Sequence, residues 1–323
     1  MKNVFIIGCP RSGSTWTTFM LSQHERIATF QHAMLFAYLA PLSRWYKNKV
    51  ESNFILNPRG DGEQGDHNYL KLSDAVPLAE WNRLLGHVAG GFMEQVGNLR
   101  QDAAVVVDKT PEHGRHAQLI LDLLPDAHFL HIVRDPRAVF CSHRSASRSW
   151  ARWDFPTHPI DGARYWREDV EAAMGIPELT PNYHQVRYED LRHNGPQELG
   201  RIMQWLGVDA DKAWCVDTVA NSRKEKMRAN RALPAEFVRK TKGGGWRDEL
   251  SARDARLMEY LLSDLMERLG YEASQRPYPS APLRLGFHDR VRKALALLER
   301  GARRGTQLAH WRWVGRKLEW LEP

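Results

Sequence analysis

Cysteine is scarce in this chain: Cys9, Cys141 and Cys215 are all that its 323 residues contain. An odd and widely spaced set excludes a disulfide framework and a cysteine-based zinc site, and it fits a reducing compartment. Long apolar runs are missing too, so no membrane-spanning helix is expected. No secretory leader is expected, since the first strand-like run, Val4 to Ile7, begins almost at Met1. The expectation is a cytoplasmic protein whose first strand already belongs to the core. No internal repeat is visible. The hydrophobic share of 42% and charged share of 26% exclude global disorder.

A basic body is also missing, although the net charge is +7. From Ala281 to Pro323 ten Lys and Arg face four Asp and Glu, a surplus of six. The remainder is close to neutral, so no nucleic-acid partner is expected. Pro277, Pro279 and Pro282 mark a linker. The pattern therefore predicts one domain over 1–275 and a basic helical extension over 276–323, with helices near 291–298 and 308–318. Trp311, Trp313 and Trp320 lie among Arg312, Arg316 and Lys317. Two readings of this tail stay open: peripheral contact with an anionic membrane, or leucines packed on the body with the arginines outward.

What is present is an alternation of short apolar runs and helical patterns. Runs at Val4–Ile7, Ala104–Val107, Phe129–Val133 and Tyr183–Tyr188, with a fifth at Ile27–Phe30, read as buried strands. Helical patterns cover Trp16–Leu21, His116–Leu124 and Leu199–Leu206, the last stopped by Gly207. This predicts an α/β, P-loop-type three-layer fold, with a central, mainly parallel sheet and helices on both faces. Residues 44–73 are rich in turn formers and are expected to be an insertion or lid.

The first motif is Gly8-Cys9-Pro10-Arg11-Ser12-Gly13-Ser14-Thr15-Trp16, between a strand and a helix. Glycines allow a tight turn whose N–H groups face inward, and the helix N-terminus adds positive charge. Ser12, Ser14 and Thr15 supply hydroxyls, and Arg11 a planar cation for phosphate or sulfate oxygens. A Walker A loop would need lysine where Ser14 stands, so the lysine that grips the β- and γ-phosphates is lacking. The second motif runs from Phe129 to Ser142. A strand ends at Arg134, Asp135-Pro136 breaks it, and a helix begins near Arg137. That places Arg134 and Ser142 within reach of one phosphate.

Together these motifs resemble the paired signatures of the sulfotransferase superfamily, which uses 3′-phosphoadenosine-5′-phosphosulfate (PAPS) as donor and releases adenosine 3′,5′-bisphosphate (PAP). The resemblance spans roughly Lys2 to Tyr271. It implies that Arg11, Ser12, Gly13, Ser14, Thr15 and Trp16 hold the 5′-phosphosulfate and that Arg134 and Ser142 hold the 3′-phosphate. Asp108-Lys109-Thr110-Pro111 is similar to the Lys-Thr-Pro element of bacterial members. Arg187-Tyr188-Glu189-Asp190-Leu191 matches the Tyr-Glu-Asp-Leu strand end, with Tyr188 on the adenine side. Lys242, Gly243 and Gly244 fall in a segment like the late glycine-rich loop that closes over the nucleotide. Arg11 matches the carbohydrate, tyrosylprotein and bacterial branches better than the aryl and steroid branch, which has lysine there.

The resemblance also implies roles. His32 falls where tyrosylprotein and carbohydrate branches carry a glutamate base, and an imidazole suits proton transfer near neutrality. Lys109 and Arg11 would stabilise the transferring group and leaving oxygen, and Ser222 would assist. Glu112 and His113 are rival bases. Glu112 also suits a helix N-terminal charge and His113 a surface position. His24 and His116 read as structural. Arg144 and Arg148 could add charge near the 3′-phosphate. Trp150, Trp153 and Trp166 could line an acceptor cleft, which tilts the acceptor toward carbohydrate, although large aromatics also simply pack. The transferring group needs no metal on this reading. The competing functions are a P-loop nucleotide kinase and a non-catalytic PAP binder.

Overall fold

The computed structural model describes residues 1–56, 69–151, 155–222 and 245–274. By internal contacts the chain divides into two compact units, Met1–Ser274 and Gln275–Pro323. The second unit, with both expected tail helices, lies outside the described residues.

The chain opens with β1 (Lys2–Ile7), α1 (Ser14–Leu21) and β2 (Ile27–Gln31). Then come α2 (Leu35–Trp45), a π-helical turn (Tyr46–Val50), and a small hairpin of β3 (Phe54–Leu56) and β4 (Tyr69–Lys71). This hairpin is antiparallel and separate from the main sheet, and it falls within the stretch expected as a lid. Next are α3 (Leu72–Ala75), α4 (Leu78–Asn98), β5 (Val105–Lys109), a 3₁₀ turn (Pro111–His116) and α5 (Ala117–Leu123). The chain continues through β6 (His128–Val133), α6 (Pro136–Arg148), α7 (Pro159–Met174) and β7 (Tyr183–Arg187). It proceeds to α8 (Tyr188–His193), α9 (Gly195–Leu206) and α10 (Lys212–Asn221). Short helices at Trp246–Glu249, Ala252–Leu261 and Ser263–Arg268 complete the described part.

The main sheet has the order β2-β5-β1-β6-β7, and every pairing is parallel. Its central strands are apolar without alternation because both faces are covered. Val4, Ile6, Val105, Val107, Leu130 and Ile132 enter one core with α1, α8 and α9, while Phe5, Ile7, Val106 and Phe129 enter another with α2, α4 and α5. Full burial of such a side chain stabilises by about 1.5–3 kcal/mol. The chain leaves β1 for β2 at one edge, returns to β5, then crosses β1 to reach β6 and β7. The reversal therefore lies around β1, where a parallel sheet opens a crevice at the carboxyl ends of its strands.

Two boundaries differ from the sequence reading. Tyr188 is already the first residue of α8, and α6 starts at Pro136 because the Asp135 carboxylate accepts the Arg137 N–H at 2.9 Å. The Arg137 side chain is only 2% exposed and pairs with Asp135 at 2.8 Å and Glu259 at 2.5 Å. It also donates to the Glu272 carbonyl and lies over Trp246. This buried pair clamps the C-terminal helices to the mouth of β6. Removing one partner strands the other charges. Arg137→Ala is expected to lower stability by about 3–5 kcal/mol in urea titrations, far beyond a surface Arg→Ala change.

Candidate functional site

The loop after β1 is held by backbone that few residues tolerate. Gly8 and Gly13 have φ of 127° and 107°, and Arg11 has 75°. A Cβ on Gly8 would lie 2.5 Å from the Ile132 carbonyl oxygen, and one on Gly13 would lie 2.4 Å from the Tyr188 ring. Glycine is therefore required at both positions, and the Arg11 backbone is strained. Gly13 precedes α1 and no side chain caps that helix, so its first N–H groups are left to an anion. His143 fixes the loop from below through the Pro10 carbonyl, at 2.9 Å.

The second motif closes over the same loop. Arg134, at the end of β6, donates to the Arg11 carbonyl at 3.1 Å and stacks on Tyr188, 4.3 Å from the ring centroid. Arg11 donates to the Ser142 hydroxyl at 3.2 Å and lies 5.4 Å from the Trp150 centroid. Trp16 meets Tyr188 edge-on and donates its indole N–H to the Ser222 carbonyl at 3.0 Å. Thus Arg11, Trp16, Arg134, Ser142 and Tyr188 come together. Ser12 Oγ in the same loop and Arg134 Nε are buried with no hydrogen-bond partner among the described residues. Such atoms are costly unless a ligand satisfies them, and they fit phosphate and sulfate oxygens.

On the other side of β1 the sheet register does similar work. Gln31 of β2 pairs with Lys109 of β5, so the next residue, His32, lies beside the same lysine. His32 N–H donates to the Lys109 carbonyl at 3.2 Å, and Lys109 Nζ lies 2.6 Å from His32 Nε2. An ammonium can only donate, so a charged Lys109 requires an unprotonated Nε2 on a neutral ring. Lys109 is buried and His32 is exposed, with His32 in the left-handed region at φ 59°. One partner is thus shielded and the other faces outward.

The rival bases are placed differently. His113 is not a surface residue: it is wholly buried against Phe5 and Phe36, with Nδ1 3.1 Å from Asp108 Oδ2. Glu112 is half-buried and contributes negative charge around Asp169 and Cys9. Asp169 pairs with Arg115 at 2.5 Å, and burial pushes its carboxyl up to about 7 against the pull of that arginine. Burial likewise raises the Cys9 thiol. No motif or spacing pointed to Asp169 or His143, since each meets the loop only across the tertiary fold.

The remaining candidates separate. Ser222 is buried; its hydroxyl donates to the Thr218 carbonyl at 2.7 Å and accepts from Gln23 at 2.6 Å. Trp166 does not line a cleft: it is fully buried and donates to the Arg134 carbonyl at 3.0 Å. Arg144 donates to the Glu249 carbonyl, and Arg148 is exposed. His24 bonds the Asp209 carbonyl and packs on Trp214. Trp153, Lys242, Gly243 and Gly244 lie outside the described residues.

A parallel sheet reversing at β1, an uncapped glycine loop and a buried arginine at the next strand end define a P-loop-type nucleotide-binding α/β protein. The sequence profile described as "Sulfotransferase family" matches residues 3–212, and the chain belongs to that family. It is 29% identical over 153 residues to the omega-hydroxy-beta-dihydromenaquinone-9 sulfotransferase Stf3 of Mycobacterium bovis, an overlap of 43% of this chain and 37% of that protein. The chain thus spans little more than a third of that relative. The sulfotransferase domain from the Synechococcus PCC 7002 olefin synthase superimposes with a TM-score of 0.51 at 19% identity, over 85% of this chain and 98% of that one. Mouse sulfotransferase SULT7A1, solved with PAP, gives 0.50 at 12% identity, over 82% and 85%. These two show the fold.

Burial also sets a pH dependence. It pushes the imidazoles of His143 and His131 down to about 3 and about 4, so both are neutral in the fold. Unfolded, they protonate near 6.5, and the unfolded chain binds more protons below that value. Their contribution is complete above about pH 6.5 and falls by up to about 1.4 kcal/mol per pH unit each on acidification toward their folded values. Asp169 opposes this between its unfolded value and about 7, but it is one group against two. Urea midpoints are expected to drop between about pH 7 and pH 5, and His143→Gln to flatten part of that slope.

Proposed function

We propose that this protein transfers the sulfuryl group of PAPS to a hydroxyl of an acceptor, with His32 as general base and Lys109 as electrophilic partner. The observation that carries this reading is the Lys109–His32 pair, 2.6 Å apart, beside an uncapped glycine loop that has no Walker lysine. PAPS supplies the activated sulfuryl group. Ser12 and the N-terminal amides of α1 hold its 5′-phosphosulfate, and Arg134 and Ser142 hold its 3′-phosphate. His32 Nε2 takes the acceptor proton as the new O–S bond forms. Lys109 leaves Nε2 for the oxygen of the breaking S–O bond, where negative charge grows. Arg11 spreads charge on the transferring group.

The PAP bound to the mouse neighbour supports the nucleotide, and the hydroxylated quinone in the name of the mycobacterial relative supports a hydroxyl acceptor. A carbohydrate remains a candidate acceptor alongside other small alcohols, with Trp150 as the described aromatic near Arg11. Lys242, Gly243 and Gly244 would cover the nucleotide, as the sequence pattern suggests. Ser222 we assign to holding Trp16 and the end of α10, since its hydroxyl is already engaged.

Two measurements test this. Calorimetry in EDTA should show PAP binding without metal and far more tightly than ATP, which has no 3′-phosphate. Arg134→Ala should weaken PAP by about 10–100-fold through loss of a charge-assisted contact. Equal ATP binding, or an absolute need for magnesium, would favour the kinase reading. Second, single-turnover rates with saturating donor should fall about 10²–10⁴-fold in His32→Ala, with PAP affinity nearly unchanged. If His32→Ala keeps its rate while Glu112→Gln loses it, the base lies in the 3₁₀ turn after β5.

A further inference from the structure

Of the thirteen large apolar side chains exposed among the described residues, seven lie on α2 and α4. On α2 the chief ones are Tyr38, Leu42 and Trp45, and on α4 they are Leu84, Val88 and Phe92. Steps of three and four residues put each set along one side of its helix. The core-facing sides are already filled, by Phe36, Leu39 and Ala40 on α2 and by Leu85, Ala89 and Met93 on α4. Among the described residues, each helix therefore keeps a second, partly exposed apolar stripe, with Phe92 edge-on to Phe30. Trp81, one turn before Leu84, touches Trp45 with ring centroids 5.5 Å apart, so the stripes meet.

The charges around Trp45 are mainly cationic, while Asp74 before α4 and Glu80 and Glu94 on it are acidic. Arg44, Lys47 and Lys49 are all exposed around Trp45, and Glu51 is the one acid between Leu35 and Asn53. On α4, Glu80 is paired with Arg83 at 2.5 Å, which leaves Glu94 as the other acid of that helix. We propose that this face of α2 and α4 docks on the surface of an anionic membrane. Leucines, indole and phenol suit the boundary between headgroups and acyl chains, and flanking cations suit lipid phosphates. A two-fold contact between copies fits less well, because it would gather two cation clusters at one interface. The inference does not depend on the chemistry proposed for His32.

The test uses the full chain with phosphatidylcholine vesicles, with and without phosphatidylglycerol, at about 0.15 M salt, where exposed cations still feel nearby lipid phosphates; equal sedimentation with both vesicle types would overturn the anionic preference. Wild type should sediment with the anionic vesicles. Leu84→Glu combined with Val88→Glu, both at exposed positions, should weaken this about tenfold or more. As an independent readout, Leu84→Cys carrying a polarity-sensitive fluorophore should shift to the blue on vesicle addition; the three native cysteines are buried. Unchanged sedimentation of the double variant, or no spectral shift at position 84, would overturn the proposal. So would light scattering that shows a wild-type dimer and a monomeric variant, which would give the face to a second copy.

Discussion

The exit of β1 passes so close to β6 that a side chain at position 8 would put its Cβ 2.5 Å from the Ile132 carbonyl oxygen. Much of the site depends on that approach. It lets the loop turn across the carboxyl edge of the sheet, where Gly8 N–H donates to the Pro111 carbonyl on one side and Arg134 reaches the Arg11 carbonyl on the other. The second close approach, Gly13 against Tyr188, sets the start of α1 and keeps its first amides open. Between these points Arg11 and Ser12 are held in place by contacts rather than by their own preference. A left-handed arginine persists only where the surroundings enforce it.

Several polar side chains are buried in the interior: Asp108 on β5, His113 in the turn after it, His131 on β6, His143 on α6 and Asp169 on α7. Burial keeps His131 and His143 neutral, and His143 spends Nε2 on the Pro10 carbonyl. An apolar interior would give more stability per residue, but it could not grip loop carbonyls. Polar support of this kind fixes an anion cradle at the cost of acid tolerance.

The two halves of the proposed site come from opposite sides of β1. The loop cluster comes from the end of β1, from β6 and from α6, whereas His32 follows β2 and Lys109 ends β5. The parallel register brings Gln31 beside Lys109, and the left-handed backbone of His32, just past the strand, sets its ring against that lysine. A one-residue slip would turn His32 to the other face. A charged Lys109 in this pair needs an unprotonated Nε2 on His32, which is the state the proposed general base requires.

The sheet and the glycine loop were legible in the residue pattern. Its five strand-like runs became the five parallel strands: the central ones are continuously apolar because both faces are covered, while β7, Tyr183-His184-Gln185-Val186-Arg187, is a half-buried edge. The glycine loop was legible because only glycine tolerates those backbone angles. Among the helices left unread were α2, α4, α7 and α10; α4 carries glycines at 86, 90, 91 and 97 and apolar residues on two faces, which blurs a single stripe. Tertiary structure alone decided which polar residues meet. It buried His113, took Trp166 into the core and turned Ser222 into a tie for Trp16 and Gln23. It also brought Asp169 and His143 beneath the loop. These outcomes depend on distances across strands and helices far apart in the chain, and local residue preferences hold no record of such distances.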